Sequence, residues 1–456
     1  MKRRNGDGRR VIGIETEYGC LVDPELDLTE VLTEVRNWIF DGGHFGLVDL
    51  YEREWDEPAG NGGFLFNGGR VYIDMGHIEY CTPECLSACD AVRYDRAGDG
   101  LLQLAVKSLG WEGRVFFIRN NIDHCTGATF GCHENYSMDR LAPFTETNIL
   151  SLLAFLTLRL VYTGAGRVGA TASPRIPIGF PDQLPSFEGF QLSQRADYVQ
   201  NDFYEWVQHN RAIVNTRDEP LADPVSYRRL HLLHGDTSVF PATNFLKLGT
   251  TRLALDLLEL NALPRTALND AVTALRQISR RSRPPWRVLD SRGRERDVIE
   301  LLMRYQRAAA KYFAGRDEET DCLLELWQNT LESLSRGDSA ELAGRIDWVG
   351  KRELLDAFRR EHRLAWNDPW MQSQDLEFHN IDPERGLGNA LADSDGVWAL
   401  GSLEEAMTEP PAGSRASARS RIMREIESRG GRYHFDWDKV SRSGGGTVYL
   451  GDPFDS

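Results

Sequence analysis

The sequence predicts an α+β fold in which strands and helices occupy different parts of the chain. Segments within residues 11–121 alternate polar and apolar side chains at the period of a strand, whereas residues 250–361 repeat apolar side chains at the period of a helix. The last stretch adds a helix, a strand and a glycine-rich turn. Turn-forming residues at 381–388 predict a division into a large domain, residues 1–385, and a small C-terminal domain, residues 386–456.

The strands come first. On the segment VIGIETEY, Glu15 and Glu17 share the polar face, and on RVYID the polar face carries Arg70, Tyr72 and Asp74. The polar face of an antiparallel sheet usually meets solvent, but here it is rich in metal-binding groups. Segments that predict strands with one polar and one apolar face are 11–18, 70–74, 115–121 and 228–236. Between the first two, the acidic, glycine-rich residues 41–69 predict a long irregular connection.

The helices follow. In residues 298–313, for example, Val298, Leu301, Leu302 and Tyr305 form an apolar stripe at helical spacing. Helices are predicted over residues 146–163, 250–260, 267–279, 298–313, 320–336, 351–361 and 416–429. After the last of them, YHFDW predicts a strand, and a glycine-rich turn leads into TVYL.

Composition excludes several functions. The 53 basic and 69 acidic residues give a formal charge of −16, which argues against binding to nucleic acid or to an anionic membrane. The most apolar stretch, residues 149–162, contains Arg159 and is shorter than the ~20 residues that cross a bilayer. Seven cysteines indicate reduced thiols, and the N-terminus lacks a signal-peptide pattern, so we expect a cytoplasmic protein.

The polar strand faces suggest a metal site. Glu15 and Glu17, followed by Glu79, place carboxylates of one sign close together, and a hard cation such as Mg²⁺ stabilises such a cluster. Magnesium in turn indicates a phosphate-bearing substrate such as a nucleotide. A solvated sheet face with salt bridges to arginines has the same alternation, so the residues alone leave both interpretations open.

Three further segments carry polar groups with two possible meanings. His133 and Glu134 are adjacent on a predicted strand, so they face opposite ways and join one site only at a bend. Arg229 and His231 share a face, which suits either a phosphate-facing strand or an ordinary exposed pair. Arg217, in the turn-forming segment NTRDEP, suits either a transferring phosphoryl group or the surface.

Two other features are ambiguous or weak. Eight arginines between Arg276 and Arg296 form a basic patch on an acidic protein, typical of a solvated turn or of a dock for an acidic partner. GAGRVG (164–169) matches the G-x-G-x-x-G pattern, but it follows a predicted helix and not a strand, so no dinucleotide site is predicted.

Longer motifs, in order along the chain, resemble those of the Pup ligase and depupylase family, the enzymes of prokaryotic ubiquitin-like protein modification. The motifs are IGIETEYG, NGGRVYID, HIEYCTPEC, GCHENY, LSQRADY, NTRDEP, YRRLH and LKLGTT. The resemblance runs from Val11 to the DPF near the C-terminus. It implies a glutamine synthetase-like fold: a curved antiparallel sheet forms a cradle for ATP and Mg²⁺, helices back it, and a small C-terminal domain closes one end.

The resemblance also implies a reaction. In this family the ligase phosphorylates the γ-carboxylate of a C-terminal glutamate on Pup, and a substrate lysine displaces the phosphate to form an isopeptide bond. The depupylase deamidates a C-terminal glutamine or cleaves that bond. The resemblance implies Glu15, Tyr72 and Glu79 as metal ligands, with Glu17 as a second contributor; Arg70, Thr82 and Trp437 as ATP contacts; and Asp74 as the catalytic aspartate, which we expect to act as the base. His231, Arg217 and Arg229 also match family motif positions, and we assign them as a metal ligand, a catalytic residue and an ATP contact.

The direction of the reaction is harder to predict. The Asp74–Glu79 spacing, GFQLSQRADY and LKLGTT resemble the depupylase, whereas Thr82, YIDMGH and the terminal TVYLGDPF resemble the ligase. We expect a divergent ligase that acts on a Pup-like acidic modifier and on lysine-bearing proteins, with a depupylase as the alternative. A small-molecule carboxylate–amine ligase or phosphotransferase and a catalytically dead binding module stay open, although the retained polar faces argue against the second.

Overall fold

A computed structural model describes residues 9–54, 57–124, 126–169, 187–205, 211–393, 396, 398, 401–442 and 445–456. The strands of the described chain are β1 (Ile12–Val22), β2 (Gly46–Val48), β3 (Gly62–Leu65), β4 (Arg70–Asp74), β5 (His77–Cys81), β6 (Val115–Ile118), β7 (Cys132–Asp139), β8 (Asn201–Tyr204), β9 (Ala212–Asn215), β10 (Tyr227–Leu232), β11 (Arg287–Leu289), β12 (Glu295–Asp297), β13 (Tyr433–Phe435), β14 (Lys439–Arg442) and β15 (Thr447–Tyr449).

The helices fill the rest of the described chain. They are α1 (Leu28–Asn37), α2 (Ala88–Ser108), α3 (Glu146–Leu158), α4 (Leu160–Thr163), α5 (Pro241–Glu259), α6 (Ala271–Ser279), α7 (Val298–Phe313), α8 (Glu318–Arg336), α9 (Asp347–His362), α10 (Pro369–Phe378), α11 (Leu387–Leu391), α12 (Leu403–Thr408) and α13 (Arg415–Arg429). No helix of the described residues is long and apolar enough to cross a membrane.

A ten-stranded sheet forms the centre, in the order β2-β3-β4-β5-β1-β7-β10-β9-β8, with β6 beside the second half of β1. Its pairs are antiparallel except β8–β9, which is parallel. The predicted α+β class is confirmed, and the sheet departs from a purely antiparallel one at that edge. Helices α2 and α5 pack against β1 and β7 on one face.

Strand β1 is central because it pairs with β5, β6 and β7. Its apolar residues Ile12, Ile14 and Tyr18 are buried in the core, as the alternation predicts. The residues between them, Glu15 and Glu17, face the other side of the sheet. The same strand therefore anchors the core on one face and supplies polar groups on the other.

Two regions of the structure depart from the sequence prediction. The 41–69 connection contains β2 and β3, whose glycines pack backbone against backbone: a Cβ on Gly63 would lie 2.2 Å from the Leu47 oxygen. Helix α2 was not predicted, because Gly98 and Gly100 interrupt its pattern. Gly98 lets α2 approach the sheet, since a Cβ there would lie 2.8 Å from the Tyr80 ring.

The C-terminal residues cover one end of the sheet. Helix α13 and the three-stranded sheet β13-β14-β15 share a core with β3 that contains Phe64, Met423, Phe435 and Val440. Arg419 on α13 and the indole of Trp437 therefore lie beside the ten-stranded sheet. The division at residues 385/386 stays a prediction.

Candidate active site

A cavity of about 560 Å³ opens on the polar face of the ten-stranded sheet. Strand register builds its floor: Tyr72, Glu79 and Glu17 lie opposite one another across β4, β5 and β1. Every residue that we predicted for the site lines this cavity: Glu15, Glu17, Arg70, Tyr72, Asp74, Glu79, Thr82, Arg217, Arg229, His231 and Trp437. The structure thus brings the predicted residues together, while their individual roles stay predictions.

The first cluster of metal-ligating groups consists of Glu15, His133 and His231, whose ligand atoms lie within 4.8 Å of one another. Glu15 receives a hydrogen bond of 2.9 Å from the amide of Asn135, and its other oxygen lies 2.9 Å from His133 Nδ1. His231 Nε2 lies 3.5 Å from Glu15, and neither of its ring nitrogens has a hydrogen-bond partner among the described residues. A buried imidazole without a partner, facing a carboxylate, fits a metal ligand.

Protonation suits this role. Burial lowers the pKa of His231 to about 4, so its imidazole is neutral and its ring nitrogen is available at neutral pH. Burial raises the pKa of Glu15, but His231 and His133 lower it more, and the net pKa lies well below the ordinary value. Glu15 is therefore a carboxylate.

The second cluster consists of Glu17, Asp74 and Glu79, also within 4.8 Å of one another. Burial, then the charges of Glu17, Glu15 and Asp74, raise the pKa of Glu79 well above its ordinary value, and a hydrogen bond from Tyr72 opposes this. A tight turn at Met75 and Gly76, with φ of 44° and 88°, ends β4 at Asp74 and directs β5 back toward the cluster. Crowded buried carboxylates of this kind are stabilised by a cation.

The two donor sets suit different ions. Three carboxylates offer the hard oxygen ligands that Mg²⁺ prefers. One carboxylate with two imidazoles is a mixed oxygen–nitrogen set, which also suits a transition metal such as Mn²⁺. The residues present therefore fit divalent cations, and the fit is closest to Mg²⁺ at Glu17, Asp74 and Glu79.

Arg70 also lines the cavity and is held by two carboxylates. Its guanidinium binds Glu57 at 2.6 Å and Asp49 at 3.1 Å, and it lies 4.2 Å from the centre of the Tyr72 ring. Burial lowers its pKa, but the charges of Asp49 and Glu57 raise it more, so Arg70 is always charged. Asp49 and Glu57 thus hold Arg70 in the cavity, where we expect a nucleotide phosphate to bind.

Anion-binding groups lie near the carboxylates. Arg195 is fully buried, and its Nε and Nη1 have no hydrogen-bond partner among the described residues. Burial and Arg211 lower the pKa of Arg195 to about 10, which leaves it charged at neutral pH. No carboxylate of the described chain lies within 4.0 Å of Arg195 or Arg211, whereas Arg217 and Arg229 both contact Glu219, at 3.2 and 3.7 Å.

A network from the C-terminal residues places the aromatic wall of the cavity. Glu84 binds Arg415 at 2.7 Å and Arg419 at 2.5 Å, and Arg419 also donates to the carbonyl of Trp437 at 3.0 Å. The indole of Trp437 packs 5.1 Å from Phe64. Thr82 accepts a hydrogen bond from the Ile14 amide at 3.0 Å, which ties the chain after β5 to β1.

The polar residues of the cavity that sequence reasoning did not assign to the site include His133, Asn135, Arg195 and Arg211. His133 was set aside because it adjoins Glu134, and the structure confirms that the two face opposite ways, since Glu134 is buried against Arg159. The alternation of GCHENY could have found His133 and Asn135 as one face. Arg195 had only a motif, LSQRADY, and no periodic signal, because it precedes a single 3₁₀ turn (Ala196–Tyr198).

Comparison with known sequences and structures identifies the family of this chain. A family model described as Pup-ligase protein matches residues 10–441. The depupylase of Acidothermus cellulolyticus is 34% identical over 91% of this chain and 87% of its own length, and the Pup–protein ligase of Acidimicrobium ferrooxidans is 33% identical over 98% and 96%. Among solved structures, the ligase PafA in complex with Pup superposes with a TM-score of 0.81 at 31% identity, covering 98% of this chain and 90% of that one. PafA in complex with ADP gives 0.76 at 30% identity, covering 96% and 94%. The chain therefore belongs to the Pup ligase family.

Proposed function

We propose that the protein is an ATP- and Mg²⁺-dependent ligase. It activates the side-chain carboxylate of a C-terminal glutamate on a Pup-like acidic modifier and joins it to a lysine of a target protein. One observation carries this proposal: a single cavity holds two clusters of metal-ligating groups beside the buried, unpartnered guanidinium of Arg195. Cation sites next to an anion site are the arrangement that phosphoryl transfer requires.

The nucleotide enters between the sheet and the C-terminal residues. Trp437 offers a face for the base, and Arg70 and Thr82 line the same cavity as the carboxylate clusters. The solved structure of PafA in complex with ADP supports nucleotide use. Asp49 and Glu57 both bind Nη2 of Arg70, which leaves the Nε and Nη1 donors of the guanidinium for a phosphate.

In the first half-reaction, a carboxylate oxygen of the modifier's glutamate attacks the γ-phosphorus, and the bond from that phosphorus to the β–γ bridging oxygen breaks. ADP leaves, and the modifier carries an acyl phosphate. Arg195, Arg211 and Arg217 lie on the same cavity wall and stabilise the charge on the transferred oxygens. Glu17 and Glu79 would hold Mg²⁺, which would supply charge neutralisation for the phosphates, while Asp74 serves as the base of the second half-reaction.

In the second half-reaction, a lysine amine attacks the acyl carbon, and the bond to the phosphate oxygen breaks. The amine is protonated at neutral pH, with an unperturbed pKa of about 10.4. Asp74, at the end of β4 and at the edge of the cavity, orients the ammonium and accepts its proton. The products are an isopeptide bond and inorganic phosphate.

The relatives include both ligases and depupylases, which act on the isopeptide bond in opposite directions. The Pup–protein ligase relative aligns over 98% of this chain and 96% of its own length, whereas the depupylase relative aligns over 91% and 87%. The fuller mutual coverage favours the ligase. The depupylase relative has a similar identity, 34% against 33%, which keeps isopeptide cleavage as the second candidate.

The direction is tested with two reactions. The purified protein is incubated with ATP, Mg²⁺ and a modifier that ends in glutamate, together with a lysine-bearing target; a second reaction contains a preformed conjugate. Mass spectrometry should show the target with the modifier attached through a lysine, and ADP and phosphate should accumulate. Cleavage of the conjugate without any ligation would contradict the ligase and support the depupylase.

The matched variants are Asp74→Asn, which keeps the shape of the side chain, and Glu361→Gln, which removes an exposed carboxylate on α9. Asp74→Asn should lower conjugation by about 10²–10⁴-fold, the range for loss of a general base, while Glu361→Gln should not change it. Near-native conjugation by Asp74→Asn would remove this residue from the proposed mechanism.

A further inference from the structure

A second cavity, of about 370 Å³, lies between α3, α7 and the β11–β12 hairpin. We call it the arginine cavity, because five arginines from three separate segments line it: Arg265, Arg292, Arg294, Arg296 and Arg304. It shares no lining residue with the active-site cavity. Nothing in the proposed reaction uses it.

The arginines of the 276–296 patch do not act as one surface. Arg280 binds Asp197 at 3.0 Å, and Arg276 donates to the carbonyl of Val199, so both belong to the packing around α6. Arg292, Arg294 and Arg296 belong instead to the β11–β12 hairpin. The structure thus replaces the predicted linear patch with a concave site that recruits Arg265 and Arg304 from elsewhere in the chain.

Positive charge in the arginine cavity is largely uncompensated. Its lining carboxylate, Asp290, is engaged by its own hairpin: it accepts from the amides of Arg292 and Arg294 at 2.9 and 3.0 Å and from Arg294 Nε at 3.0 Å. Arg296 lies 3.9 Å from both Asp290 and Glu300, and Arg304 donates to the carbonyl of Arg265 at 3.1 Å. Within the described ranges, no carboxylate lies within 4.0 Å of the guanidinium groups of Arg265, Arg292 or Arg304. Five arginines and one carboxylate therefore line the cavity, and an anionic ligand relieves the repulsion among the excess positive charges.

The floor of the cavity indicates which kind of anion it suits. Leu150, Leu268 and Leu301, here called the leucine floor, line the cavity together with the arginines, and the hydroxyl of Ser151 is hydrogen-bonded to the carbonyl of Thr147. Leu150 is 37% exposed. A volume at the lower end of the range for ligand pockets holds a few side chains and not a folded domain. A phosphate-rich polymer would leave the leucines without a partner.

We propose that the arginine cavity binds an extended acidic segment of a partner protein, with an apolar side chain on the leucine floor and carboxylates on the arginines. Guanidinium groups pair with carboxylates through two parallel hydrogen bonds, which gives geometric selectivity as well as charge attraction. The site is separate from the active-site cavity, so it recruits a partner and does not take part in bond formation.

The test uses the full-length protein and a short fluorescein-labelled peptide that alternates glutamate and leucine. Fluorescence anisotropy should show saturable binding that weakens as salt rises, because exposed charges are screened beyond ~8 Å at physiological ionic strength. The same peptide with glutamine in place of glutamate should bind far more weakly.

Two double variants make the comparison specific. Arg292→Glu/Arg304→Glu reverses two charges in the arginine cavity and should weaken peptide binding by about tenfold or more. Arg281→Glu/Arg307→Glu reverses two exposed arginines outside it and should have little effect. Thermal unfolding midpoints of both variants should match the unmodified protein, which excludes misfolding as the cause.

Three results would overturn the proposal. One is equal weakening by the two double variants, and another is equal binding of the glutamate and glutamine peptides. The third is tighter binding of a single-stranded oligonucleotide or of inorganic polyphosphate in the arginine cavity, which would assign the site to a phosphate polymer. The assay needs no conjugation, so failure of the proposed ligase activity would leave it unaffected.

Discussion

Buried glutamates occur in two contrasting settings in this molecule. Glu84 and Glu134 are buried and paired: Glu84 with Arg415 and Arg419, and Glu134 with Arg159. Glu17 and Glu79 are also buried, yet their close neighbours in the cavity include other carboxylates. Pairing lowers the pKa of Glu84 and of Glu134 to about 2 against the opposing effect of burial, whereas burial and like charge raise the pKa of Glu79.

This difference separates a structural charge from a functional one. A buried carboxylate costs stability unless it is paired and hydrogen-bonded. Arginines from within the chain compensate Glu84 and Glu134, so those residues hold the fold together. Among the described residues, no arginine or lysine lies within 4.0 Å of Glu17 or Glu79, so the proposed cation would supply their compensation. The following predictions test whether the distinction holds.

The largest effect should come from breaking a compensated pair. Glu84→Gln leaves Arg415 and Arg419 buried without their carboxylate, and loss of one partner of a buried ion pair costs about 3–5 kcal/mol. Chemical denaturation should show that decrease in the free energy of unfolding, and the exposed control Glu361→Gln should show almost none. A loss below about 1 kcal/mol would mean that water compensates the arginines and that the contrast is weaker than proposed.

The next largest effect should be the loss, in acid, of the stability that Glu84 and Glu134 contribute. Each has a folded-state pKa of about 2 against an ordinary 4.5, so each contributes stability that is fully present above pH 4.5 and is lost as the pH falls toward 2. A shift of this size corresponds to about 3 kcal/mol per group at 1.36 kcal/mol per unit. Denaturation between pH 5 and pH 2, a range of about three units, should show a steep loss. The loss should be shallower in Glu84→Gln, and an identical slope would contradict the assignment.

A smaller effect should appear in the Mg²⁺-dependent affinity for a nucleotide. Glu15→Ala removes the carboxylate that joins His133 and His231, so a non-hydrolysable ATP analogue should bind about 10–100-fold more weakly in the presence of Mg²⁺. Isothermal titration with and without Mg²⁺ measures this. The exposed control Glu361→Gln should not change the metal dependence. Unchanged, Mg²⁺-dependent affinity in Glu15→Ala would place the cation elsewhere.

The sequence predicted the elements that carry these groups more fully than it predicted their surroundings. Alternation alone placed Glu15 with Glu17 and Arg70 with Asp74, because a strand fixes which side chains share a face. It could not distinguish Glu84 from Glu79, because the distinction depends on Arg415 and Arg419, far along the chain. Arg195 was missed for a related reason: its burial results from tertiary packing and not from local periodicity.

Helix α2 shows the same limit in the fold. Gly98 lowers the local helix propensity, yet the close contact with Tyr80 requires a residue without a side chain. The 41–69 connection shows the opposite case, in which Gly62 and Gly63 suggest a loop but form β3 against β2 and β4. In both, tertiary approach of backbones overrides the local preference that a single sequence displays.

The smallest expected effect is the change in stability caused by Glu79→Gln, and its sign distinguishes the two kinds of buried glutamate. Glu79→Gln removes a charge from the crowded cluster, so without a divalent cation it should stabilise the protein at neutral pH by about 1 kcal/mol or more, the opposite of Glu84→Gln. A carboxyl group whose folded-state pKa is raised favours folding at low pH and loses that contribution as the pH rises through the folded-state pKa, so the stabilisation by Gln should grow from pH 5 to pH 8, a span of about three units. Adding Mg²⁺ should reverse the order, because the cation binds the unmodified cluster and stabilises it by mass action while the variant has lost a ligand. Denaturation midpoints of the two proteins, measured with EDTA and then with Mg²⁺, give the comparison directly. If Glu79→Gln destabilises the metal-free protein as Glu84→Gln does, the polar floor of the cavity is compensated from within the chain, and the cation is not what holds it together.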